Sequence, residues 1–199
     1  MNLNIPYLET DNKLLNDAYR IAAGDIVGNI VYYQNGLLTE EKPCMIAGLD
    51  YNTPWTRDTA INIWNALSIL SPEVSKNTLL AVLEEEEGSI YIGGQYWDSI
   101  IWMIGAREYC RFHKDDNFYR LAFEAGRNSV HRLEEDEFDE EDGLFRGPAV
   151  YGDGIAAYPD KYSKCPNQGS GILEWVDYPG NPVYPKGYGI PMTALSTNC

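Results

Sequence analysis

Three short stretches of the chain set aromatic rings beside carboxylates or an arginine. The first is Asn52-Thr-Pro-Trp55-Thr-Arg57-Asp58, whose Arg-Asp pair stands where a very apolar run begins. The second, Gly93-Gly-Gln-Tyr96-Trp97-Asp98, also leads into an apolar run. The third is Tyr151-Gly-Asp153-Gly, inside a region rich in Gly, Pro, Tyr and Asp. Rings of this kind stack on the apolar faces of a pyranose, while charged groups fork onto vicinal hydroxyls. The chemistry these residue types suit is that of a sugar pocket. Cleaving a glycoside would also need one carboxylic acid to protonate the leaving oxygen and one carboxylate as base or nucleophile. Asp153 is the candidate acid, because its flanking glycines let the backbone present it into a cleft and Tyr151 can cover it; Asp142 and Asp177 are the fallbacks.

Each of these residues also has a plainer reading. Asp58 and Asp98 could be helix caps or ordinary first-turn residues, and Arg57 could pair with one of them across a bundle. The rings could be core, and Asp153-Gly154 a turn without chemistry. The functional reading gains weight only if the surrounding elements bring the stretches together.

Those elements read as helices. Over 11–33, Leu14, Leu15, Ala18, Ile21, Ala22, Ile26 and Ile30 recur at helical spacing, with Asp11 as a possible N-cap. Asn35-Gly36 and Pro43 then break the pattern, and residues 45–50 lead on as a loop or short extended piece. Residues 56–70 carry apolar side chains around most of the helix circumference, which predicts a helix buried all round. Ser71-Pro72 starts a one-faced helix through Val74, Thr78, Leu79, Val82 and Leu83, ending in Glu84 to Glu87 as a solvated end. Residues 99–113 are again apolar all round. Asp115 caps a last one-faced helix through Phe118, Leu121, Ala122, Ala125 and Val130.

The order is outer, inner, outer, inner, outer, with the two inner helices starting about 40 residues apart. Short links and this alternation predict antiparallel hairpins wound into two layers: an all-α, α/α toroid. In such a toroid the inner helices run the same way. The loops entering them, 52–58, 93–98 and 138–189, therefore gather at one end. The last is a long irregular segment whose aromatics favour an ordered binding loop, and residues 191–199 read as the start of a third inner helix.

Composition bounds the rest. The chain has 199 residues, 44% hydrophobic and 13% aromatic, enough to bury a core. A net charge of -15 and a pI near 4.4 argue against nucleic acid and anionic membranes as partners. Neither a long apolar span nor a basic-then-apolar leader is present, so a cytoplasmic protein is expected, a trimmed signal for secretion or the periplasm leaving the same trace. Cys44, Cys110, Cys165 and Cys199 lie far apart and read as free thiols, with no metal or cofactor expected.

Trp55-Thr-Arg57-Asp58 resembles the Trp-x-Arg-Asp motif of the six-hairpin glycosidases, the superfamily of glucoamylases, trehalases, processing α-glucosidases and the amylo-α-1,6-glucosidase domain of glycogen debranching enzymes. The resemblance implies that Arg57 and Asp58 grip the sugar in the innermost subsite. Gln95-Tyr96-Trp97-Asp98 with the following Glu108-Tyr-Cys-Arg-Phe-His-Lys-Asp115 is similar to the debranching-type pattern, which implies that Asp98 lines the pocket. Asp142-Gly-Leu-Phe followed by Tyr151-Gly-Asp153 resembles the segment bearing that group's acid, which implies Asp153 as general acid, although the group has Trp-Met-Asp where this chain has Tyr-Gly-Asp. These likenesses span roughly residues 44–160.

The superfamily toroid has twelve helices, against five and the start of a sixth here. The expectation is therefore a fragment or split product: residues 1–199 as the N-terminal part of one catalytic domain, its base outside the chain, completed by a partner or by self-association. The activity implied is that of an inverting, exo-acting glycosidase on a glucoside or related oligosaccharide. A non-catalytic sugar-binding protein of the same fold is the alternative. A sugar epimerase would need paired histidines at the pocket, and His113 and His131 fall at far ends or outer faces of their helices.

Overall fold

A computed structural model describes residues 5–94 and 98–145. The chain divides into two compact units, Met1–Val130 and His131–Cys199. The described residues are mainly helical, with three short antiparallel hairpins that an all-helical reading does not contain.

Helix α1, Lys13–Gly28, is capped by Asn12, whose side-chain oxygen accepts from the amides of Leu14 and Leu15, rather than by Asp11. It stops five residues short of the expected end. After Gly28 the β-branched and aromatic Ile30-Val-Tyr-Tyr33 prefers extended backbone and forms β1, Ile30–Tyr33, paired with β2, Lys42–Met45. No residue of α1 is buried, and Leu14 is 79% exposed. Contact with the core is left to Ile26 and, beyond the helix, Ile30.

Helix α2, Thr56–Asn62, continues through a π-helical turn, Ile63–Leu67, into α3, Ser68–Leu70. The expectation that this rod is buried all round does not hold. Ile63 and Leu67 are sealed in the core, but Trp64 and Ile69 on the other side are 51% and 60% exposed. Helix α4, Pro72–Ala81, starts as the sequence predicts, with Pro72 in its first turn and the Ser71 hydroxyl accepting from the Val74 amide. The β1–β2 hairpin lies over it. Thr78 accepts from the Met45 amide at 2.9 Å, and Asn77 donates to the Pro43 carbonyl at 3.2 Å.

The end of α4 is closed by the loop after β1. Asn35 and Leu37 donate to the carbonyls of Ala81 and Leu80, satisfying groups that a helix C-terminus leaves open. Gly36 makes this approach possible: at φ +59 a Cβ there would sit 2.6–2.7 Å from the carbonyl oxygens of Leu80, Ala81 and Leu83.

Glu84 to Glu87 are not a helix end. Leu83–Glu86 is β3, paired with β4, Ser89–Ile92, around a two-residue turn at Glu87 and Gly88. Both turn residues have positive φ, 51° and 80°, the backbone that matches strand twist in a tight hairpin. Leu83 and Ile92 face the core while Glu84, on the other face of the ribbon, is exposed.

Helix α5, Asp98–Phe112, is the enclosed helix the sequence predicts. Trp102 is fully buried and donates to the Leu79 carbonyl at 3.3 Å. Helix α6, Asp116–Glu137, is one-faced as expected, with Phe118, Ala125 and Ser129 inward and Arg120, Glu124 and Arg127 outward. Asp115 accepts from the Phe118 amide at 3.0 Å, and Ser129 accepts from the Ile92 amide at 2.8 Å, tying α6 to β4. Trp102, Tyr109 and Phe118 meet within this core, Tyr109 edge to face on Phe118 with ring centroids 5.0 Å apart and Trp102 tilted against Phe118 at 6.4 Å.

In the second unit, β5, Phe138–Asp139, pairs with β6, Leu144–Phe145, and the Asp139 carboxylate accepts from the amides of Glu141 and Asp142 in the turn. Asp142 is exposed there.

Candidate functional site

Helices α2 and α5 lie side by side in the same direction. At one end Arg57 of α2 meets Asp98 of α5. Further along, Gly105 packs on Ala60 so closely that a Cβ at Gly105 would be 2.8 Å from the Ala60 Cα. At the far end His113 contacts the Ser68 carbonyl at 2.6 Å. Helix α4 runs the opposite way, so its C-terminal end and β3 arrive where α2 and α5 begin. Two of the three loops expected on a shared rim are therefore together; the third, 138–189, lies almost entirely outside the described residues.

A cleft of about 230 Å³ opens at this end. Thr53, Pro54, Trp55 and Thr56 form one side, Ala81 to Glu84 the other, with Gly93, Gly94 and Asp98 between and Tyr33 and Asn35 at the margin. Thr56 ties its side to the stretch between by donating to the Gly93 carbonyl at 2.8 Å. Trp55, 50% exposed, presents its ring at the opening and meets Tyr51 edge to face.

Asp98 is buried, and its Oδ1 lies 3.4 Å from Arg57 Nε. Gly94, at φ +112, permits this packing. A Cβ there would stand 2.9 Å from Asp98 Cβ and 3.0 Å from both Asp98 Oδ2 and Thr56 Oγ1.

The expected site residues are thus distributed as follows. Trp55 and Asp98 line the cleft; Arg57 is half-buried and contacts Asp98; Asp58 is half-buried in the first turn of α2 and does not line the cleft. Both aspartates are first-turn residues, where the helix dipole favours a carboxylate. Tyr96, Trp97, Tyr151, Asp153 and Asp177 lie outside the described residues.

Sequence reading missed Glu84, which the acidic run concealed. A signal was present: Ile90 and Ile92 alternate after a Glu-Gly pair, the pattern of a strand leaving a tight turn.

Among the described residues no group of three or more His, Cys, Asp or Glu could hold a metal ion, and no helix is long and apolar enough to cross a membrane. His113 sits at the far end of α5 from the cleft, and His131 pairs with Glu134 within α6. Cys44 and Cys110 are free thiols; burial pushes Cys44 up to about 12, with a hydrogen bond to Thr78 acting weakly against it. Comparison with family models, curated proteins and solved structures finds no match to this chain.

Proposed function

We propose that the cleft is a sugar subsite of a glycoside hydrolase of the six-hairpin type, inverting and exo-acting on a glucoside or related oligosaccharide. The observation that carries this reading is the meeting of Trp55, Thr56 and Asp98, from stretches some 40 residues apart, on one cleft at the shared start of two parallel helices. A half-exposed indole beside hydrogen-bonding side chains is the combination that recognises a pyranose. Arg57 acts through Asp98, holding its carboxylate at the floor. In this proposal the helices are the first hairpins of an α/α toroid, Asp153 protonates the leaving oxygen, and a base from outside the chain activates water on the opposite face of the ring.

Titration of glucose and maltose into the full chain by calorimetry tests the subsite. Binding should be measurable and about tenfold weaker in Trp55→Ala, the effect of one lost stacking ring. Failure of both sugars to bind, or equal binding by the variant, would overturn the proposal. For the reaction, glycoside turnover should be abolished by Asp153→Asn; unchanged turnover removes Asp153 from the role of acid.

A further inference from the structure

Glu84 gives the cleft a feature that a neutral sugar does not require. Among the described residues neither lysine nor arginine lines the cleft, and two carboxylates do, those of Asp98 and Glu84. Asp98 is met by Arg57. Glu84 has no hydrogen-bond or ion-pair partner among the described residues. Its placement is nevertheless defined. Pairing of Glu84 with Tyr91 across the β3–β4 ladder sets the backbone, and the side chain leans over Gly93, where an added Cβ would lie 2.6 Å from Glu84 Oε1. The carboxylate thus lies against Gly93, and both residues line the cleft.

We infer that Glu84 makes this subsite selective for an amino sugar, its carboxylate pairing with the protonated amine of a glycoside. The inference rests on the carbohydrate reading above and narrows its substrate class. An ammonium gains from a carboxylate that no described residue neutralises and from a half-exposed indole in the same small cleft. A hydroxyl in the same position gains only an ordinary hydrogen bond, and an acetamide also forfeits the charge. Because the cleft is open to solvent, the pair is partly screened. The preference is therefore about five- to twentyfold rather than thousands-fold.

The test is calorimetric titration of glucosamine, N-acetylglucosamine and glucose into the full chain, at low salt and at about pH 6, where the amine is protonated. Glucosamine should bind about five- to twentyfold tighter than either neutral sugar. Glu84→Gln should bring that ratio close to one, and added salt should shrink it. Glu85→Gln, on the opposite face of the same strand, should keep the ratio. Glucosamine binding no tighter than glucose, or a preference that survives Glu84→Gln, would overturn the inference while leaving the carbohydrate reading intact. If none of the three sugars binds, both fall together.

Discussion

Gly94→Ala is the perturbation that asks most of this structure, because three glycines of the chain separate its parts. Gly24 lies in α1 with nothing within 4 Å of where a Cβ would go. There alanine should stabilise by about 0.5–1 kcal/mol through helix propensity and a less flexible unfolded chain. Gly88 has φ +80 and also faces open space, so alanine meets only the backbone penalty, about 1–2 kcal/mol. Gly94 has φ +112 together with three side-chain atoms, on Asp98 and Thr56, within 3.0 Å of the added methyl. To the strain of about 1–3 kcal/mol is added displacement of Thr56 from the Gly93 carbonyl, worth about 1 kcal/mol. The expected loss is about 2–4 kcal/mol, or roughly 6–12 °C in Tm at about 3 °C per kcal/mol for a chain of this size. Thermal and urea unfolding followed by circular dichroism measures all three variants. The ordering Gly24→Ala, native, Gly88→Ala, Gly94→Ala from most to least stable is required. Should Gly94→Ala unfold no earlier than Gly88→Ala, Asp98 and Thr56 do not crowd that position and the cleft floor is not built as described. On the proposed sugar subsite, folded Gly94→Ala should also bind sugar more weakly than the native chain, since Asp98 must move to admit the methyl.

Two further outcomes follow from side chains away from the cleft. The Asp115 carboxyl is held below its usual range first by the hydrogen bond from Lys76, at 2.6 Å, and then by the Phe118 amide. A depressed folded value means the stabilisation is complete above the unfolded value near 3.9 and is lost as pH falls through the folded one. Asp115→Asn keeps the cap acceptor and removes the charge, so it should cost about 0.5–1 kcal/mol near neutral pH, a cost that shrinks progressively as pH falls below about 3.9, measured as urea midpoints from neutral pH into the acid range; an acid-independent cost would contradict the assignment. Cys44, fully buried and with its thiol pushed up to about 12, should stay unmodified when the native protein is treated with iodoacetamide at about pH 8 and react once urea is added. Peptide mapping decides this, and native-state alkylation at Cys44 would show that the β1–β2 hairpin does not seal α4.

What the sequence disclosed and what it hid have identifiable causes. Helices α4, α5 and α6 were legible because their start signals, Ser71-Pro72 and Asp115, and their apolar periods agree. The pairing of Asp98 with the 55–58 stretch was legible too, since two apolar runs of similar phase predict helices that begin at the same end. The hairpins were not. Residues 30–33 continue the helical spacing of α1, and only their β-branched and aromatic character speaks for a strand. Residues 83–86 carry three glutamates, which mask alternation because β3 turns one face to solvent and ends at an open turn. Trp64 and Ile69 were read as buried because apolar character all round a helix says nothing about which neighbours are at hand to cover it.

The β3–β4 hairpin also separates two design tasks that helical bundles usually entangle. Its Leu83 and Ile92 belong to the core, whereas its turn at Glu87 and Gly88 is exposed and its Glu84 faces the cleft. Residues inserted at an exposed turn leave the packed ends of the strands undisturbed. The wall of the cleft can thus be lengthened, shortened or recharged from the tip inward, two residues at a time to keep the pleat in phase, while the helices that hold Asp98 and Trp55 stay as they are. The lining of the cleft can drift by changes to a solvent-facing ribbon, with the stability of the core held apart from the search.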